Sequence, residues 1–120
     1  MQKLFILIIF LFSIVLFNCS DYEVIFESTL KAPSPPENLS VAPGDKIAYL
    51  RWQSPANNGG SDITEFRIYR NLNPGNGALI ASVSFNTFLY NDSNLTNETA
   101  YFYYITAVNN NDESERSNQI

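Results

Sequence analysis

What this chain can fold into is constrained most by a two-residue rhythm in its apolar side chains. Ala48, Leu50 and Trp52 alternate within residues 46–53, and Tyr101, Tyr103, Ile105 and Ala107 alternate within residues 100–108. Successive side chains of an extended strand point to opposite faces, so each set shares one face, which is then the inward one. Turn residues cut the rhythm at short intervals: Pro55 and the string Ala56-Asn57-Asn58-Gly59-Gly60-Ser61, then Asn73-Pro74-Gly75-Asn76-Gly77. Proline cannot donate to a strand ladder, and Asn and Gly tolerate the backbone angles of tight turns. The pattern predicts strands over residues 38–41, 46–53, 63–70 (Phe66 and Ile68 on one face), 78–83, 86–91 and 100–108. Short strands at this spacing read as an all-β sandwich, with no helix in the domain.

Ahead of the strands, Lys3 precedes an apolar run over residues 4–17 that is broken only by Ser13. A charged start followed by such a run is the pattern of a secretory signal. A permanent span needs ~20 apolar residues, and this run is shorter and meets Asn18 at once. The partition expected is a signal over residues 1–18, a tether over 19–34 and one domain over 35–120. Within the tether, residues 31–36 (Lys-Ala-Pro-Ser-Pro-Pro) form an extended spacer, whereas residues 22–26 (Tyr-Glu-Val-Ile-Phe) have high strand propensity.

Charge and composition narrow the chemistry. Removing residues 1–18 takes away Lys3 alone and leaves six Lys and Arg against twelve Asp and Glu, which argues against a nucleic-acid partner. The chain has no histidine and one cysteine, Cys19, so the usual general base, the common zinc constellations and an intrachain disulfide are all out of reach. No cofactor, metal or catalytic residue is expected. The carboxylate pairs Asp62 with Glu65 and Asp92 with Glu98 are placed on the surface, where no cleft would set up acid and base roles. The acidic loop over residues 109–115 lacks calcium-ligand spacing and reads as solvated.

Several of these residues stand in an order that resembles the fibronectin type III domain. They are the Pro-Pro-Glu-Asn-Leu-Ser-Val opening at 35–41, Trp52, Pro55, Gly-Gly-Ser-Asp-Ile at 59–63, Tyr90-Asn91-Asp92 with Leu95, and the run from Leu95 to Asn109. The resemblance implies a seven-strand sandwich with Trp52 plugging the core. It also implies a tyrosine corner made by Leu95 and Tyr101, the Tyr101 hydroxyl bonding back to the preceding loop. Two departures stand out. Asn97-Glu98 replaces the Pro-Gly of many members, which implies a looser turn, and residues 114–120 begin a seventh strand and stop, leaving an incomplete last strand and a partly unpaired sixth. A fragment, a fold-back of residues 22–26 and a strand donated by another chain are open accounts of that edge.

The string Leu16-Phe17-Asn18-Cys19 resembles the end of a bacterial lipoprotein signal, although Phe17 and Asn18 depart from the small residues common there. The resemblance implies a diacylglycerol on the Cys19 thiol and a lipid anchor in the bacterial cell envelope; plain secretion is the alternative. On the domain, Arg67, Tyr69, Phe102 and Tyr104 are expected to form an outward aromatic and cationic patch suited to a protein or a glycan. The function expected is a non-catalytic envelope lipoprotein with a binding domain, the alternative being a spacer or accessory domain of a larger secreted carbohydrate-active enzyme.

Overall fold

The computed structural model describes residues 31–120, and the signal expected over residues 1–18, Cys19 and residues 22–26 lie outside the described residues. All regular structure described is extended. Six strands follow one another: β1 (Glu37–Gly44), β2 (Ile47–Gln53), β3 (Ile63–Asn71), β4 (Ala78–Ser84), β5 (Leu89–Ser93) and β6 (Phe102–Asn109). They form two antiparallel sheets of three strands, ordered β1-β2-β5 and β4-β3-β6.

The two-residue rhythm becomes the core. On β2, Ala48, Leu50 and Trp52 are buried while Tyr49, Arg51 and Gln53 are exposed. Phe66 and Ile68 of β3 and Ile105 and Ala107 of β6 meet them from the other sheet, all fully buried. Each such large side chain contributes about 1.5–3 kcal/mol by leaving water. Trp52 packs edge-on against Phe66 at 5.8 Å between ring centres, and Phe66 in turn meets Phe88 at 5.4 Å.

The first strand runs on to Gly44 where the sequence reading stops it at residue 41, and the fifth and sixth strands start later than that reading places them. The fifth strand begins at Leu89 rather than residue 86, because Phe85 and Asn86 form a turn closed by the Thr87 N–H on the Ser84 carbonyl at 3.0 Å. The sixth begins at Phe102, which leaves Tyr101 half-buried just ahead of it, packed against the core.

The sixth strand is also not left open. Residues 114–120 run beside β6 and bond to it, although they lack the regular ladder of a strand. Tyr103 and Ile120 exchange backbone bonds of 2.8 and 3.1 Å, and the Ser117 and Ser114 amides donate to the carbonyls of Ile105 and Ala107 at 2.9 and 2.8 Å. The return bonds go to side chains: the Ile105 N–H donates to Ser117 Oγ at 3.0 Å and the Ala107 N–H to Ser114 Oγ at 2.9 Å. Partners on β6 are two residues apart and those on the segment three apart, so serine hydroxyls take up the surplus length by standing in for carbonyls. Asn118 completes the closure, accepting from the Leu39 N–H and donating to the Leu39 carbonyl, both at 3.0 Å, which ties β1 of one sheet to the margin of the other.

Candidate interaction face

The outer face of the β4-β3-β6 sheet carries the four residues expected to form a contact patch, and the structure spends most of them internally. Tyr69 and Tyr104 are cross-strand partners whose rings stack at 4.8 Å and 10°. The Arg116 guanidinium lies 5.1 Å from the Tyr104 ring centre. Tyr104 is consequently only 8% exposed, which corrects the expectation of an open aromatic patch. Phe102 is half-buried opposite Asn71, and Arg67 is half-buried as well. The cover comes from residues 113–116, which sequence periodicity could not bring to this face.

Glu113 is the clasp of that cover. Its carboxylate accepts from the Tyr69 hydroxyl at 2.5 Å, the Thr106 hydroxyl at 2.7 Å and the Arg67 guanidinium at 2.9 Å. Burial alone would raise its pKa, but the hydrogen bonds from Thr106 and Tyr69 and the charge of Arg67 together hold it below the usual carboxylate range. The same burial and the bond to Glu113 push the Tyr69 hydroxyl up. Arg67 also pairs with Glu65 at 3.1 Å. What remains open is a shallow hollow of about 350 Å³ bounded by Asn76, Tyr104, Glu113, Glu115 and Arg116.

A second polar cluster joins the two sheets. Asp92 of β5 is 5% exposed and accepts from the Arg70 guanidinium of β3 at 2.9 and 3.0 Å, and from the Tyr103 hydroxyl of β6 at 2.7 Å. Asp92 is therefore not the surface carboxylate that the sequence suggested. A buried charge is tolerated only when paired and fully bonded, and here both conditions hold. Burial, then the bond to Asp92, pushes the Tyr103 hydroxyl far up.

The structural residues sit as follows. Trp52 and Leu95 are buried at 4% and 9% exposure. The Tyr101 hydroxyl accepts from the Thr96 N–H at 3.0 Å. The turn before it is tied rather than loose, since Asn97 accepts from the Lys46 N–H and donates to Asp45, both at 2.8 Å. Asparagine there reaches the β1–β2 turn, which proline could not do.

The loops gather at two poles. At one, the Lys31 and Ser34 amides donate to the Gly59 and Asn57 carbonyls, each at 2.9 Å, and the Asn109 amide bridges the carbonyls of Lys31 and Asn58 at 2.8 Å. Gly59 is at φ 76, and a Cβ there would lie 2.1 Å from the Lys31 carbonyl oxygen, so only glycine lets the spacer approach. At the other pole lie Lys46, Asn97 and Ile120, beside a pocket of about 230 Å³ lined in part by Val41, Leu95 and Tyr101.

Two packed antiparallel sheets, a buried tryptophan on the second strand and a tyrosine corner define an immunoglobulin-like β-sandwich. The family model for the fibronectin type III domain matches residues 34–120, and the chain belongs to that family. Among solved structures it is similar to an Fn3-like protein from Clostridium thermocellum, at 25% identity and TM-score 0.62 over 74% of this chain and 90% of that one. It is also similar to domains A168–A170 of titin, at 24% identity and TM-score 0.62 over 75% of this chain. The kinase region of twitchin from C. elegans matches at 23% identity and TM-score 0.68 over the same share. The chain spans 32% of the titin fragment and 16% of the twitchin one. A search of curated protein sequences finds no match.

Proposed function

We propose that this chain is a non-catalytic protein of the bacterial cell envelope, anchored to the membrane by a lipid on Cys19, whose sandwich offers a contact surface to another protein or a glycan. The observation that carries the contact role is where the polar groups go. Asp92, Arg70 and Tyr103 bind one another between the sheets, and Glu113, Arg67, Tyr69 and Thr106 bind one another on the outer face. Groups committed in this way hold the fold together, and the outer surface is what the domain has to act with. A protein fits that surface better than a glycan, because the Tyr104 ring that would stack on a sugar lies under Arg116.

Two measurements test the reading. Mass spectrometry of the protein from the membrane fraction of its native host should find an N-terminal peptide that begins at Cys19 and carries acyl groups; an unacylated N-terminus sinks the anchor. A photo-crosslinker at Arg116 should give a discrete adduct in the native host where one at exposed Asn91, on the other sheet, does not. Equal adducts from both, or hydrolase activity in the purified domain, would refute the contact role.

A second reading, a spacer or accessory domain within a larger secreted carbohydrate-active enzyme, is favoured by one observation. Residues 31–34 and Ile120 lie at opposite poles, as a domain joined in series requires.

A further inference from the structure

The geometry points to the pole built from residues 57–59 and the β4–β5 turn as a lipid-facing surface that seats the domain on the membrane. This inference rests on the anchorage proposed above. In the turn, Phe85 is 57% exposed, Phe88 is 37% exposed, and Leu89 just beyond is 48% exposed. Phe88 packs one side on Phe66, but the turn does not require Phe85, since Ser84 Oγ already bonds to the Asn86 and Thr87 side chains at 2.6 and 3.3 Å. Phe85 and Phe88 join Ile63 around a depression of about 610 Å³ whose one charged lining residue is Asp62. A phenyl ring held out from a polar turn at Phe85, with the open side of Phe88 beside it, suits the boundary between headgroups and acyl chains.

The chain's course selects lipid as the occupant. The spacer docks at this same pole, through the Lys31 amide on Gly59 and the Lys31 carbonyl on Asn109, and Asn58 beside that contact also lines the depression. Twelve residue steps separate Cys19 from Lys31, a reach of at most about 40 Å fully extended. A lipid on Cys19 therefore keeps this pole within that distance of the bilayer, a tethering that makes even weak apolar contacts effective. The opposite pole, with Lys46, Asn97 and Ile120, then faces outward. Because the chain carries more acidic than basic residues, zwitterionic headgroups suit it better than anionic ones.

The test uses the chain beginning at Cys19, its sole thiol coupled to a maleimide lipid in phosphatidylcholine nanodiscs that contain headgroup spin-labelled lipid. Paramagnetic broadening should be several-fold greater for the backbone amides of Gly59, Gly60, Phe85 and Asn86 than for those of Lys46, Gly75 and Asn97. Phe85→Ser should erase that contrast without disturbing the rest of the spectrum, and Phe85→Trp should sharpen it. Uniform broadening, stronger broadening at the opposite pole, or a contrast indifferent to Phe85→Ser would overturn the lipid-facing pole. An unacylated native N-terminus overturns the anchor instead, so the two failures are told apart.

Discussion

Replacing Glu98 by glycine should make the protein more stable, although it removes a side chain. Glu98 sits at φ 62, in the left-handed region where a Cβ crowds the next carbonyl at a cost of roughly 1–2 kcal/mol. The residue is exposed, and its carboxylate makes no hydrogen bond or ion pair among the described residues. The turn is held by others: Asn97 on Lys46 and Asp45, the Leu95 N–H on the Lys46 carbonyl at 3.0 Å, and the Thr96 N–H on the Tyr101 hydroxyl at 3.0 Å. Glu98→Gly thus relieves the crowding and breaks no hydrogen bond or ion pair. Against this stands the extra freedom of glycine in the unfolded chain, about 0.5–1 kcal/mol. The net gain is about 0.5–1 kcal/mol, a rise in Tm of about 2–8 °C for a domain of this size. Thermal unfolding followed by circular dichroism measures it, with Glu98→Ala as the control that keeps the Cβ and gains nothing. Lys46, at φ 60, should behave like Glu98, whereas Asn38 and Asn94, at φ 55 and 63, should gain less because asparagine tolerates this region. A lower Tm for Glu98→Gly, or an equal rise for Glu98→Ala, would refute the reasoning.

Three further outcomes follow from the bonding. Ser114→Ala and Ser117→Ala each strip the acceptor from a buried amide on β6 and should cost about 1–3 kcal/mol apiece in urea unfolding; a cost near zero for both would mean that the segment does not pair as described. Trp52→Ala should cost about 3–5 kcal/mol by leaving a large cavity, while Tyr101→Phe, which loses one hydrogen bond, should cost about 1 kcal/mol, so similar denaturation midpoints would show that the core lies elsewhere. Glu113 has a lowered folded pKa, so its stabilisation is complete above the unfolded carboxylate value of about 4.3 and is lost as pH falls through the folded value. Between about pH 6 and pH 3 the wild type should lose more stability than Glu113→Gln, and equal acid slopes would deny Glu113 its role as a clasp.

The sheets were readable where local alternation decides burial. Leu50 and Trp52 sit on a strand with one wet face, so period alone separates them from Tyr49 and Arg51, and on β3 Phe66 and Ile68 alternate with half-buried Arg67 and Tyr69. The same logic misplaced Tyr104, because both faces of β6 are covered and the cover arrives from residues 113–116. Asp92 was hidden for a similar reason, since its partner Arg70 lies on the other sheet. Residues 86–88 imitated a strand start because no glycine or proline marks the turn ahead of Leu89. Residues 114–120 carry their pairing groups at every third position, which leaves no two-residue signal to find. The contact patch was legible as a set of neighbours, Tyr69 beside Tyr104, but not as a surface, since a long-range clasp decides how much of it meets solvent.

The placement of residues 31–34 and Ile120 on the domain has a mechanical consequence. Residues 31–34 leave one pole, and Ile120 lies at the other beside Tyr103. Tension applied between them pulls the C-terminal segment along its own length past β6, and β1 likewise past β2. Hydrogen bonds lie across antiparallel strands, so the bonds at Tyr103, Ile105 and Ala107 are sheared together rather than peeled one after another. The Asn118 bridge to Leu39 adds a crosstie between the two loaded margins. Under stretch the domain should resist as a block and yield abruptly, and Asn118 is a position from which that yield force can be tuned while the core stays untouched.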